Sequence, residues 1–214
     1  MRVLLYSLYM DFKALAPQLR NPSGDEGRDV GKAMAQWNIG TNALAFECLG
    51  VQPSDHVLEI GFGPGEALAE AIYLTPKGFV AGLDQSETML AMAQQRNSRA
   101  IIQDKLELTL GTADAMPYAD GSFHKVFAAN VGHFWKEPRV ELAEIKRVLR
   151  PGGRLALIGG HPKDWKPGLK ESGVFYPRLP EEWEKLLSDA GFKNVRTTIK
   201  KFDDEDAMCV TGES

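Results

Sequence analysis

The chain has 214 residues, a length for one large domain that buries a sizeable core without a disulfide or metal staple. Hydrophobic residues at 43 %, charged residues at 25 % and a mean hydropathy of −0.26 exclude disordered and collagenous chains, and no apolar run approaches the roughly 20 residues of a membrane helix. With 25 Lys and Arg against 29 Asp and Glu, the net charge of −4 and the lack of a basic stripe argue against nucleic acid as a partner.

Residues 1–50 carry helix and turn signals and no strand pattern. The apolar stretch of Met1–Met10 is short, and Asp11 and Lys13 follow it without a small-residue cleavage site, so it reads as an amphipathic helix rather than a secretion signal. Asn21-Pro22-Ser23-Gly24 is turn chemistry and splits a first helix from a second over about Val30–Leu49, which Gly50 and Pro53 end. From His56 the pattern becomes strand–helix alternation. His56–Ile60, Phe79–Leu83, Leu106–Leu110, Lys125–Asn130 and Arg154–Ile158 are short strand-like runs. Helices are expected over about Glu66–Leu74, Ser86–Arg99 and Val140–Leu149, with Pro151-Gly152-Gly153 as a tight turn. Such alternation means βαβ units, a parallel sheet and helices on both faces. After a helix over Pro180–Ala190, Val195–Phe202 and Ala207–Val210 are joined by a turn too short for a parallel return, so they form an antiparallel hairpin. Cys48 and Cys209 form neither a Cys-x-x-Cys pair nor a metal-type cluster with the four histidines, which fits a cytoplasmic protein without a metal.

The most informative segment is Val57-Leu58-Glu59-Ile60-Gly61-Phe62-Gly63-Pro64-Gly65. A strand running into alternate glycines and then a helix lets backbone approach a ligand where a Cβ would clash, beside free helix N–H groups. A dinucleotide site wants a third glycine where this chain has Glu66, and a carboxylate is poorly placed beside a diphosphate. Glu59, at the strand end, suits a cationic ligand. Asp84 ends the second strand about 20 residues past the first glycine, where a carboxylate accepts both ribose hydroxyls. Asp114 follows the third strand, where it can accept from an exocyclic amine, and Asn130 ends the fourth. In open α/β sheets ligands sit at the carboxyl ends of the strands, and Glu59, Asp84, Asp114 and Asn130 all fall there.

These blocks, with Gly82-Leu83-Asp84-Gln85-Ser86, Gly111-Thr112-Ala113-Asp114-Ala115-Met116-Pro117 and Leu149-Arg150-Pro151-Gly152-Gly153-Arg154-Leu155, resemble a class I S-adenosylmethionine-dependent methyltransferase over about Val57–Ile158. The chain is similar to the small-molecule type related to the ubiquinone/menaquinone-biosynthesis enzymes. The resemblance implies an α/β fold: a Rossmann-like, doubly wound, seven-stranded sheet with an antiparallel last strand. It implies S-adenosyl-L-methionine as cofactor, S-adenosyl-L-homocysteine as product and no metal. By that resemblance Gly61, Gly63 and Gly65 cradle the methionine part and Asp84 holds the ribose. Gln85, Asp114 and Ala115 surround the adenine, and Asn130 lies near the amino-acid end or the reacting methyl. An N-terminal helical cover over 1–52 would then lie on a core of 53–214, one compact domain overall, with Met34, Asn38 or Asn42 touching the cofactor. His124 departs from the Asp usual in this family, and Gly160–Leu179 carries no substrate motif.

His133 and His161 follow strand ends on the ligand side and are the candidate general bases; the competing assignment is a loop histidine bonded to backbone or water. His56, on the opposite edge, is structural. Trp135, Phe175 and Tyr176 are candidates for an apolar acceptor pocket. The expected activity is transfer of a methyl group to O, N or C of a small or medium organic acceptor, by a monomer or homodimer. A non-catalytic S-adenosylmethionine-binding protein and a nicotinamide-dependent oxidoreductase are the alternatives.

Overall fold

The computed structural model describes residues 12–202 and 204–214, so the helix expected over Met1–Met10 lies outside the described residues. Three helices come first: α1 (Phe12–Arg20), α2 (Gly24–Trp37) and α3 (Ile39–Leu49). The single helix expected over Val30–Leu49 is therefore two, broken at Asn38 with φ −88° and ψ 0°. The backbone ladder barely suffers, because Asn38 N–H still reaches Met34 O and Asn42 N–H reaches Asn38 O.

The alternating region follows the sequence pattern closely: β1 (His56–Ile60), α4 (Glu66–Leu74), β2 (Phe79–Asp84), α5 (Glu87–Arg96), α6 (Ser98–Ile102), β3 (Leu106–Leu110), β4 (Phe123–Ala129), α7 (Arg139–Val148) and β5 (Leu149–Gly160). Ser86 caps α5 by accepting from Met89 N–H. The helix expected to run to Arg99 breaks at Asn97, whose Nδ2 donates to Gly65 O and Ala93 O and so ties the glycine loop to α5. Pro151-Gly152-Gly153 lies inside β5 rather than before it. Ser214 and Gly152–Gly153 exchange backbone hydrogen bonds there, and the register against β4 shifts between Phe123 and Lys125. The short helix α8 (Pro167–Lys170), α9 (Pro180–Asp189), β6 (Lys193–Phe202) and β7 (Glu205–Glu213) complete the chain.

The seven strands lie in the order β3-β2-β1-β4-β5-β7-β6, with β7 antiparallel to both neighbours, as expected. Pairing on both edges also carries β7 well beyond the four residues read as strand. The central strands are buried on both faces, as parallel strands require, while the edge strands β3 and β6 stay more exposed. Leu58, Ile60, Leu83, Val126 and Leu155 face Leu142 and Ile145 of α7 and Trp183 and Leu187 of α9. Val57, Val80, Phe127 and Ala156 face α4 and α3. Leu44, Ala45 and Leu49 of α3 are fully buried, and Phe46 meets Phe127 edge-on at 5.2 Å, so α3 shares the core of the sheet. Cys48 and Cys209 are free thiols that become neighbours where α3 crosses β7. His124 accepts from the backbone N–H of His56 at 3.0 Å on the edge opposite the glycine loop, which gives that departure a local structural role. Among the described residues, no helix is long and apolar enough to cross a membrane.

Candidate functional site

Parallel pairing brings the carboxyl ends of β1, β2, β3 and β4 to one edge, and the glycine loop leaves from the middle of it. All three of its glycines have positive φ, but for different reasons. A Cβ on Gly61 would stand 2.3 Å from Val131 Cγ2, and one on Gly65 would meet Asn97 Nδ2 at 2.7 Å, so both are demanded by packing. Gly63 opens on free space, with nothing within 4 Å of its missing Cβ, and is the point where a ligand can approach backbone. Gly61→Ala is expected to cost about 2–4 kcal/mol through left-handed strain and the clash with Val131, seen as a lower melting temperature.

Asp84 is 8 % exposed. Its Oδ2 accepts from Gly63 N–H at 2.8 Å and its Oδ1 from Ser86 N–H at 2.9 Å, so one carboxylate clasps the glycine loop to the start of α5. Burial pushes it up to about pKa 6, against the pull of those backbone donors. Glu59 is 3 % exposed, and its Oε2 is buried without a hydrogen-bond partner among the described residues. Burial raises it well above the usual carboxylate range, and Asp84 and then Glu66 push it further. Glu66 pairs with Arg96, so it is neutralised where Glu59 is not. A buried carboxylate oxygen left unpaired is costly, and a cationic ligand group is what would satisfy it.

These residues line a cavity of about 480 Å³. Of the expected cofactor residues, Glu59, Gly61, Gly63, Asp84, Gln85, Asp114, Asn130 and Asn42 form its wall, whereas Gly65 and Ala115 do not. Met34 and Asn38 join them from α2 and its break. The N-terminal segment is fastened at both ends of the site. Gln85 Nε2 donates to Arg20 O at 2.7 Å and Ser86 Oγ to Pro22 O, while Asn130 Nδ2 donates to Asn38 Oδ1 at 2.9 Å and Thr41 Oγ1 at 3.2 Å. Sequence patterns carry no signal for the first two bonds, because every residue offers a carbonyl.

The remaining wall comes from the loop after β4 and the start of α7. Trp135 and Tyr176 stand in it as expected, Phe175 does not, and Phe134, Val140 and Glu141 join unforeseen. Only their position just past a strand end could have flagged them. Glu141 Oε2 is a second buried carboxylate oxygen without a partner among the described residues, and burial with the charge of Asp114 raises its pKa.

Neither histidine expected as a base reaches the cavity wall. The His133 ring is caged by Phe134, Trp165 and Phe175 at centroid distances of 4.4, 5.0 and 5.1 Å, and desolvation pushes it down to about pKa 3. Its imidazole resonances are expected to stay at their neutral positions between roughly pH 5 and 8, where an ordinary histidine titrates, in an NMR titration. His161 caps a short 3-10 turn, its Nδ1 accepting from Lys163 N–H at 3.2 Å. Among the described residues no three His, Cys, Asp or Glu side chains are grouped to hold a metal ion.

The methyltransferase-domain family matches residues 58–157. The uncharacterised methyltransferase YdaC of Bacillus subtilis is 26 % identical over 86 % of this chain and 97 % of its own length. A demethylmenaquinone methyltransferase of Symbiobacterium thermophilum is 38 % identical over 50 % of this chain, a match spanning 43 % of that relative. Among solved structures, a SAM-dependent methyltransferase from Aquifex aeolicus superimposes with a TM-score of 0.71 at 22 % identity, covering 87 % of this chain and 97 % of that one.

Proposed function

We propose that the chain is a class I S-adenosylmethionine-dependent methyltransferase that moves the cofactor's methyl group to an O, N or C atom of a small or medium organic acceptor. The observation that carries the proposal is the Glu59 oxygen beside Asp84, buried and without a hydrogen-bond partner among the described residues. Such a site fits a positively charged adenosine ligand and disfavours a pyrophosphate.

Bound there, S-adenosylmethionine supplies an electrophilic methyl on a sulfonium. Asp84 accepts the ribose hydroxyls, Gly63 gives the close backbone approach, and Glu59 balances the positive charge. Gln85 and Asp114 hold the adenine end, with Ala115 behind them, and Asn130 and Asn42 hold the amino-acid end. Gly61 and Gly65 shape the loop that carries Gly63. Methyl transfer needs the acceptor atom in line with the methyl at about 3–3.5 Å, and orientation alone lowers the barrier by roughly 7–11 kcal/mol. With both histidines off the cavity wall, the chain's main contribution is that alignment. Phe134, Trp135 and Tyr176 favour an acceptor with an apolar, flat face. The helices between Phe12 and Leu49 cover the cofactor, and the working compartment is a reducing cytoplasm.

Incubation with radiolabelled S-adenosylmethionine and a panel of phenols, amines and enolisable ketones tests the proposal. Label is expected to enter one acceptor class, with S-adenosylhomocysteine released in equal amount. Tight cofactor binding with no transfer across the whole panel would instead favour a non-catalytic binding protein.

A further inference from the structure

Asn130 is a non-glycine residue in the left-handed region, φ 58°, at the carboxyl end of β4. Its backbone N–H is tied to Ile158 O at 2.8 Å, so the turn is held between β4 and β5. Its side chain makes its bonds across the cavity mouth, to Asn38 Oδ1 and Thr41 Oγ1 on the N-terminal helices. The Thr41 hydroxyl hydrogen is committed to Asn38 O at 3.0 Å, which leaves Thr41 Oγ1 able only to accept. Both Nδ2 hydrogens of Asn130 are therefore in use. A flipped amide would set its oxygen against two oxygens. In this arrangement Asn130 Oδ1 has no partner among the described residues and is left to accept. The helix break explains itself in the same way: Asn38 sits at the non-helical junction of α2 and α3, and its side chain reaches the sheet there instead of continuing along a helix face.

Building on the cofactor role proposed for Asn130, we infer that Asn38 and Thr41 are positioning residues, which orient the Asn130 amide so that its oxygen receives a donor hydrogen of the bound ligand. The N-terminal helices thus set ligand affinity through one amide as well as by covering the site. Neither Asn38 nor Thr41 is needed to bury core: Thr41 is half-buried and Asn38 stands in the cavity wall.

The test is titration of the full chain and its variants with S-adenosylhomocysteine, alongside melting of each ligand-free protein and the side-chain amide signals of Asn130 in a 1H–15N spectrum, identified by their loss in Asn130→Asp. Thr41→Val, nearly isosteric, is expected to weaken binding about five- to tenfold, the scale of one net hydrogen bond. Thr41→Ser, which keeps the accepting oxygen, restores the affinity. Asn38→Ala weakens binding similarly and moves the Asn130 amide signals toward those of a solvent-exposed asparagine. Wild-type binding matched by Thr41→Val, with the Asn130 signals unmoved, overturns this inference alone. Failure of the wild type itself to bind overturns the cofactor assignment and this inference with it.

Discussion

Asp84→Ala is expected to weaken S-adenosylhomocysteine binding by about 100-fold or more, measured by calorimetry. Two charge-assisted hydrogen bonds to a ribose diol contribute about 1.5–3 kcal/mol each, and the lower figure for both corresponds to roughly 100-fold. The substitution also frees Gly63 N–H and Ser86 N–H, so the glycine loop loses its clasp to α5. Protonation should mimic part of this effect. With a pKa near 6, the carboxylate proposed to bind ribose is lost as pH falls through 6, and affinity is expected to fall with it. The stability of the ligand-free protein runs the other way. The folded pKa lies above the usual value of 3.8, so the contribution of Asp84 to stability is full below that value and is lost as pH rises through about 6. The change is about 3 kcal/mol. His133, depressed in the fold, has the opposite slope between about pKa 3 and its usual 6.5, so the wild-type melting curve must be compared with that of Asp84→Ala at each pH.

Glu59→Gln is expected to stabilise the ligand-free protein and to impair ligand binding at the same time. Removing a buried, unpaired carboxylate from beside Asp84 and Glu66 relieves about 1–2 kcal/mol, a rise in melting temperature of roughly 2–8 °C. Affinity for S-adenosylmethionine should fall about tenfold or more, because the cationic ligand loses its buried counter-charge. Opposite signs from one substitution separate a ligand-binding acid from a structural one. A lower melting temperature with unchanged affinity would assign Glu59 to the fold instead.

The sheet was readable because parallel strands buried on both faces appear as short apolar runs, as β1, β2 and β4 do, while the edge strand β3 shows as an alternating one. The cavity end was readable for a geometric reason: strands of one direction end on one edge, so Glu59, Asp84, Asp114 and Asn130 could be grouped from position alone. What lay hidden depends on contacts across the chain. The break at Asn38 follows no Gly or Pro and makes sense only against Asn130. His133 looked like a base at a strand end, but Trp165 and Phe175, from a segment without periodicity, cage it. Gly65 reads as a ligand glycine, yet the side chains of Ala93 and Asn97 on and just beyond α5 account for it. β7 outran its apolar core because its length is set by two partner strands, and a polar end such as Glu213 gives no hint of pairing.

The most direct measurement is calorimetric titration of the full chain with S-adenosylmethionine and, separately, with NAD⁺. The site predicts binding of S-adenosylmethionine with Kd on the order of micromolar and no heat from NAD⁺. NAD⁺ binding in place of S-adenosylmethionine, or no response to either, would contradict it.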